Sequence, residues 1–145
     1  MIYVFDACAL ITAHRIDLPF TRFQPFWDWM SEQTEKGAIS FPSVVLKECS
    51  GTDKLACWLH EHAEPYETSD NKAFPYLRRV LQAYGGNIEA KDLGKNENDA
   101  IIIAHAMAIR EDGKKATIVT YERRNNAIKP GNMSIPNVCE KLGIP

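Results

Sequence analysis

Hydrophobic and polar residues alternate in blocks along the chain, and four short hydrophobic blocks have the composition of strands. Residues 2–6 contain the β-branched and aromatic run "IYVF", which predicts a buried strand. "AISF" predicts a second short strand, "PYET" a third, and "ATIVTY" a clear last one. Longer blocks with helical spacing lie between them. This alternation predicts an α/β fold with a mainly parallel sheet that is covered by helices on both faces.

Two of the longer blocks have the clearest helical pattern. In "FTRFQPFWDWMSEQTEKG" the residues Phe26, Trp29 and Met30 follow helical spacing, and Gly37 ends the helix. The block "NENDAIIIAHAMAIREDG" is apolar nearly all round over residues 100–109, which predicts a buried helix. Further helices are predicted in "SVVLKEC", "DKLACWLHEHA" and "NVCEKLGI" and at the end of "DNKAFPYLRRVLQAYGG", and a helix or turn in "LITAHRI".

Length and composition narrow the class of protein. The chain has 145 residues and no evident linker or repeat, so we expect one domain over residues 1–145. The formal net charge of −2 excludes a uniformly basic nucleic-acid coat and leaves room for a local basic patch. Four widely spaced cysteines without a secretory signal predict reduced thiols in a cytoplasmic protein. No apolar run approaches membrane-spanning length, so no membrane association is expected.

Acidic residues occur beside several of the hydrophobic blocks. Asp6 is the one charged residue in "MIYVFDACALI", where an unpaired buried charge would be costly. Asp6 and Glu122 follow predicted strands, Glu48 follows "SVVLK", and Asp99 directly precedes "AIIIAHAMA". The carboxyl ends of parallel strands share one edge of the sheet, where ligands bind in open α/β folds. We therefore expect the four acids to meet in one cleft.

A cluster of four carboxylates needs a counter-charge, because like charges held together destabilise the fold. A hard divalent cation supplies it, and Mg²⁺ or Mn²⁺ prefers carboxylate oxygens. Each acid also has an ordinary interpretation. Asp6 can simply end a strand, Glu48 can be an exposed helix residue, and Asp99 can complement the helix dipole. Glu122 can pair with the arginines that follow it.

Four stretches in sequence order carry a family resemblance: "YVFDACALI", "FPSVVLKE", "ENDAIIIAHA" and "ATIVTYE". They resemble the PIN-domain superfamily of metal-dependent nucleases, which includes the VapC-type toxins of toxin–antitoxin pairs. The closing "SIPNVCEKLGI" is similar to the tail of a less characterised PIN-like branch. The resemblance implies a three-layer α/β/α sandwich, a Mg²⁺ or Mn²⁺ site, and endoribonuclease activity that leaves a 5′-phosphate and a 3′-hydroxyl.

The resemblance also assigns residues and partners. It implies catalytic and metal-binding roles for acids at the positions of Asp6, Glu48, Asp99 and Glu122, although the family usually has Asp at the last of these. Its implied partners are an RNA substrate, a cognate antitoxin protein and a second copy of the chain. Around this site, we expect the Thr120 hydroxyl to orient a ligand or water, and Arg123 and Arg124 to contact RNA phosphates without sequence specificity.

Cys8 departs from the family pattern, which often has a hydroxyl or amide residue there. A thiol is a poor ligand for a hard cation, so we expect Cys8 to pack or to support the site without touching the metal.

Three alternatives to a nuclease come from other features of the sequence. A non-catalytic PIN-like module would bind RNA or a protein through the same surface. A phospho-receiver-like domain would need an acceptor Asp after "AISF" or "PYET", and none is convincing. A zinc site at Cys49, Cys57, His60 and His62 does not match zinc-finger spacing. We expect Cys57 to pack within its helix and the two histidines to be exposed.

Overall fold

The sheet of this computed structural model is parallel throughout and has β1 at its centre. The structure describes residues 1–67, 70–126 and 129–145. Within them the strands are β1 (Ile2–Phe5), β2 (Ile39–Ser40) and β3 (Ala116–Val119), in the order β2-β1-β3. Tyr3 lies opposite Ile39 on one side of β1 and opposite Thr117 on the other. The predicted α/β class and the parallel sheet are confirmed.

Helices account for most of the remaining chain, and three of them have a proline in their first two positions. Pro25, Pro75 and Pro136 each lie at the first or second position of a helix, where a missing backbone N–H costs nothing. The first helix continues into a π-helical turn over Ala13–Asp17. In the described residues the α-helices are α1 (Ala7–Thr12), α2 (Gln24–Glu35), α3 (Ser43–Glu48), α4 (Lys54–His62), α5 (Phe74–Gly85), α6 (Glu97–Glu111) and α7 (Ile135–Leu142).

Helix α6 is the central helix of the core. Its residues from Ile102 to Ala108 are all buried, as the nearly all-round apolar pattern predicted. It packs against β1, β3 and α5. A separate aromatic group joins α2 to α4, with the rings of Phe20 and Trp27 stacked at 4.1 Å and those of Trp27 and Trp58 edge to face at 5.1 Å.

One prediction of local structure was wrong, and another was confirmed with a shorter range. "PYET" is not a strand: Glu64–Tyr66 forms a 3₁₀ helix, and Pro65 lacks the N–H that a central strand would use. Thr68, the last residue of that stretch, lies outside the described residues. The predicted last strand is shorter than "ATIVTY", because β3 ends at Val119. Among the described residues, no helix is both long enough and apolar enough to span a membrane.

Candidate functional site

Asp6 lies at the carboxyl end of the central strand. Its backbone N–H donates to the carbonyl of Val119 at 3.0 Å, which extends the pairing of β1 with β3 by one residue. Only 5% of Asp6 is exposed. The chain leaves β1 for β2 on one side and later returns to β3 on the other, so Asp6 lies where the strand order reverses. Ligands of open α/β sheets bind at this position.

Two side chains donate hydrogen bonds to one oxygen of this buried carboxylate. The Thr120 hydroxyl donates to Asp6 Oδ2 at 2.8 Å, and the Cys8 thiol donates to the same atom. Both donors are themselves hydrogen-bonded: Glu122 N donates to Thr120 Oγ1 at 3.0 Å, and Tyr121 N donates to Cys8 Sγ at 3.3 Å. Each donor therefore accepts one hydrogen bond from a backbone N–H and donates one to Asp6, which fixes the orientation of the carboxylate.

The Cys8 thiol stays protonated in this arrangement. Burial, and after it the hydrogen bond to Asp6, raises the pKa of Cys8 to about 12. A protonated thiol can donate to a carboxylate, whereas a thiolate would repel it. Cys8 therefore supports Asp6, in line with the expected role next to the acids.

Glu122 is bound to the start of helix α7. Its side chain is exposed, and Oε2 accepts a hydrogen bond from the backbone N of Ile135 at 2.8 Å. Ile135 is the first residue of α7, so its N–H has no partner within the helix. A carboxylate at this end also complements the helix dipole.

Glu48 is held near the start of α6. It is the exposed last residue of α3, and the side-chain amide of Asn98 donates to its Oε1. Asn98 and the half-buried Asp99 are neighbours in the first turn of α6. The contact therefore places Glu48 beside the turn that carries Asp99.

Tyr84, near the end of α5, lies within electrostatic range of three of the acids. The side chain is 0% exposed, and its hydroxyl has no hydrogen-bond partner among the described residues. Burial, followed by the charges of Asp99, Glu122, Cys139 and Asp6, raises the pKa of Tyr84 above its usual range. The carboxylates of Asp99, Glu122 and Asp6 thus act on the same phenol.

Cys49 is a buried thiol that directly follows the fourth acid, Glu48. Burial, followed by the charges of Glu48, Asp53 and Asp6, raises the pKa of the Cys49 thiol to about 12. Glu48 and Asp6 therefore both lie within electrostatic range of one buried side chain.

Sequence reasoning missed Asn98 and Tyr84 as parts of the candidate site. Tyr84 falls in the apolar helical pattern of "LRRVLQAYGG", so nothing in the sequence separates it from a core tyrosine.

The four predicted metal ligands are all carboxylates, which are the ligands that a hard divalent cation prefers. Their positions in the structure do not form a coordination shell. In the described ranges, no three His, Cys, Asp or Glu side chains form a group that could hold a metal ion. Three of the acids have one oxygen committed to a protein donor: Oδ2 of Asp6 to Thr120 and Cys8, Oε2 of Glu122 to α7, and Oε1 of Glu48 to Asn98.

The two arginines after Glu122 are both exposed. Arg124 Nη2 lies 3.3 Å from Glu140 Oε1, and both of these side chains are solvent-exposed. Such a surface ion pair contributes little to stability, so it does not prevent the guanidinium from binding another anion. Glu122 contacts α7, and Arg124 is paired with Glu140 on that same helix.

The predicted zinc ligands do not form a metal-holding group in the described residues: Cys49, which follows α3, and Cys57, His60 and His62 of α4. Cys57 is exposed, so the prediction that it packs within the helix was wrong. His60 is exposed and contacts Glu64, as expected for a surface histidine. His62 is only partly exposed, with its ring 5.8 Å from that of Trp58, so the expectation of exposure was wrong for this residue. Four free cysteines agree with the prediction of reduced thiols.

No curated protein and no solved structure shows significant similarity to the chain. Residues 3–145 match the model of one protein family, described as a domain of unknown function (DUF4411). Because this match covers nearly the whole chain, the protein belongs to the DUF4411 family.

Proposed function

We propose that this protein is a Mg²⁺- or Mn²⁺-dependent endoribonuclease with a PIN-like, three-layer α/β/α fold. The observation that carries the proposal is the buried carboxylate of Asp6 at the carboxyl end of the central strand, oriented by Thr120 and Cys8. Like Asp6, Asp99 and Glu122 lie within electrostatic range of the Tyr84 phenol. The ordered resemblance of the sequence to the PIN-domain superfamily supplies the reaction class.

The ordinary interpretation of Asp6 as a strand end accounts for less of this arrangement. The Asp6 side chain makes no capping hydrogen bond to the backbone at the start of α1, although Asp6 occupies the capping position. Its Oδ2 instead accepts from a residue 114 positions away, whose hydroxyl is oriented by another backbone N–H. A carboxylate held this way in a buried position is preorganised for a cation.

In the proposed site, Asp6 and Asp99 anchor the metal, and Glu48 and Glu122 complete its surroundings directly or through water. A metal held by these residues would supply a bound water of lowered pKa and would neutralise charge on the phosphate. The residues of the chain orient these groups. Thr120 and Cys8 fix Asp6, Asn98 holds Glu48, and the N-terminus of α7 holds Glu122.

The biological setting belongs to the same proposal. By resemblance to VapC-type toxins, the chain would be the cytoplasmic toxin of a toxin–antitoxin pair, with an antitoxin protein and a second copy as partners. Exposed Arg123 and Arg124 would contact phosphates of the RNA.

One observation favours a second candidate, a non-catalytic PIN-like module that binds RNA or protein. Oxygens of Glu122 and Glu48 are engaged with α7 and Asn98, and the described acids do not converge on one point. In such a module the acids would serve only the fold.

The two candidates separate in one set of assays on the purified protein. We expect Mn²⁺ to raise the melting temperature of the wild type and to support cleavage of an unstructured RNA. Asp6→Asn and Asp99→Asn should remove both effects while the metal-free proteins remain folded. Asp28→Asn is the matched control, because Asp28 is an exposed α2 residue whose carboxylate accepts a hydrogen bond from the neighbouring Gln24. Full turnover by a folded Asp6→Asn protein would refute the nuclease, and a wild type that binds RNA without cleaving it would favour the module.

A further inference from the structure

A cavity lies at the free edge of strand β2, away from the four acids. Its volume is about 560 Å³, within the range of about 300–1,000 Å³ that small-molecule sites occupy. Ile2, the first residue of β1, lines the cavity, whereas Asp6 follows the last residue of that strand. Other walls come from the end of α2, from β2, from the start of α5 and from the second half of α6. The cavity is therefore separate from the candidate metal site.

His105 is a fully buried histidine in the wall of this cavity. Its Nε2 lies 3.3 Å from Asp70 Oδ1, and its Nδ1 has no hydrogen-bond partner in the described part of the chain. Burial, opposed by Asp70, lowers the pKa of His105 and keeps the imidazole neutral near pH 7. An ionised carboxylate only accepts, so Nε2 carries the proton and Nδ1 keeps a free electron pair. A buried acceptor without a partner costs free energy, so Nδ1 favours a ligand that donates a hydrogen bond.

The apolar residues of the wall favour a flat ligand. Ile2, Ile39 and Ile109 provide aliphatic surface, and Tyr66 and Tyr76 provide two aromatic rings. Aromatic rings stack on one another and bury a large apolar area against aliphatic side chains. A planar aromatic body with one ring N–H or O–H would therefore suit both this wall and the free Nδ1.

The charged residues of the wall are two lysines and two acids. All four are exposed, in contrast to the buried histidine, and so lie on the solvent side of the cavity: Lys72, Lys114, Glu35 and Asp112. A purely anionic ligand would meet both acids there, and a purely cationic ligand would meet both lysines. A zwitterion can direct its carboxylate to a lysine and its ammonium group to an acid.

We infer that this cavity binds a small aromatic zwitterion, whose ring N–H or O–H donates to His105 Nδ1 and whose two charges lie among the lysines and acids of the opening. Aromatic amino acids belong to this chemical class. The inference goes beyond the proposed function, because it uses none of the acids of the candidate metal site.

The first test varies the ligand and keeps the wild-type, full-length protein. Dissociation constants are measured by saturation-transfer NMR titration near neutral pH. Indole and benzofuran have nearly the same shape, but only indole has an N–H. Indole should bind about 2- to 10-fold more tightly than benzofuran, the range for one net hydrogen bond. L-tryptophan should bind more tightly than tryptamine and 3-indolepropionate, each of which keeps only one of its two charges.

The second test locates the bound ligand with variants whose folding is checked by melting curves. Ala108→Leu fills part of the cavity from α6 and should weaken binding of indole and L-tryptophan by at least about 5-fold. His105→Leu removes both ring nitrogens, so indole and benzofuran should bind it with equal affinity. The comparison of these two ligands on the wild type needs no variant, so it decides the role of His105 even if His105→Leu does not fold.

A pair of lysine substitutions tests the charges at the opening. The double variant Lys72→Ala and Lys114→Ala should bind L-tryptophan about 2- to 5-fold more weakly and indole as the wild type does. Lys54→Ala is the matched control, because Lys54 is an exposed lysine at the start of α4 that does not line the cavity. It should bind both ligands as the wild type does.

Other results overturn the inference. Equal wild-type affinities for indole and benzofuran would remove the hydrogen bond to His105. Tryptamine or 3-indolepropionate binding as tightly as L-tryptophan would exclude the zwitterion. Undiminished binding to a folded Ala108→Leu protein would place the ligands elsewhere, and a wild type that binds none of the five compounds would exclude the site. RNA cleavage is assayed separately, so each of these failures is distinguishable from a failure of the proposed function.

Discussion

Glu122 offers a sharp test of how the candidate site is built, because its carboxylate makes one hydrogen bond to helix α7 that a single substitution removes. Oε2 accepts the 2.8 Å hydrogen bond from Ile135 N, and Ile135 is buried at the first position of α7. The next residue, Pro136, has no N–H to offer. Glu122→Ala would therefore leave the N–H of Ile135 without a partner.

The size of the effect follows from two contributions. A buried donor without a partner costs about 1–3 kcal/mol, and the exposure of Glu122 favours the lower half of that range because water can partly replace the carboxylate. Loss of a negative charge at the helix N-terminus adds about 0.3–1 kcal/mol. We expect Glu122→Ala to lower the free energy of unfolding by about 2 kcal/mol, a fall in melting temperature of about 4–8 °C for a chain of this length.

The assay is urea denaturation and thermal melting in EDTA, so that metal binding does not contribute. Glu122→Gln is the control, since its amide oxygen still accepts from Ile135 and only the charge is lost. It should cost about 0.5 kcal/mol. A Glu122→Ala protein as stable as wild type would refute the reasoning, and so would a Gln variant that is destabilised as strongly as the Ala variant.

Two further predictions concern buried groups. Tyr84→Phe removes a hydroxyl that has no hydrogen-bond partner in the described part of the chain. The metal-free protein should therefore be as stable as wild type or up to about 1 kcal/mol more stable by denaturation, and a loss above about 1 kcal/mol would contradict this environment. His105 is buried in α6 and its pKa is lowered from 6.5, chiefly by burial and against the effect of Asp70. Near this pH His105 therefore binds a proton more readily in the unfolded chain than in the folded chain. Stability should fall as the pH drops below about 6.5. His105→Gln should flatten this slope between about pH 7.5 and 5.5, and an unchanged slope would exclude His105 as its source.

The elements that carry the site were predictable from sequence because their burial leaves a local pattern. The "IYVF" run forms β1, and the nearly uncharged stretch of α6 is buried along one continuous length. The position of Asp6 at the end of a central strand followed from the same pattern and from the parallel arrangement of strands.

The contacts that orient the acids were not predictable, because each joins residues far apart in sequence. Cys8 and Thr120 are separated by 112 positions, and Asn98 and Glu48 by 50. A local sequence pattern cannot show that a thiol will donate to a carboxylate or that an amide on one helix will bind a carboxylate on another. "PYET" failed for a related reason: its composition suits a strand, but the backbone there turns into a 3₁₀ helix that ends in Tyr66.

Residue 122 is a position where the sequence departs from the PIN-domain pattern and the structure shows what the different side chain contacts. The PIN-domain pattern usually has Asp there, and this chain has Glu. The longer side chain allows Oε2 to reach the N-terminus of α7 from a backbone that is itself fixed by the Thr120 hydroxyl. A metal at Glu122 would therefore use Oε1 while Oε2 stays on Ile135, or it would have to displace a hydrogen bond that stabilises α7. In either case Glu122→Ala weakens metal affinity as well as α7, because the carboxylate would leave Ile135 only for a more favourable contact with the metal. Comparing the loss of stability in Glu122→Ala with and without Mn²⁺ therefore tests whether Glu122 binds the metal, because the loss grows with metal if it does and stays the same if it does not.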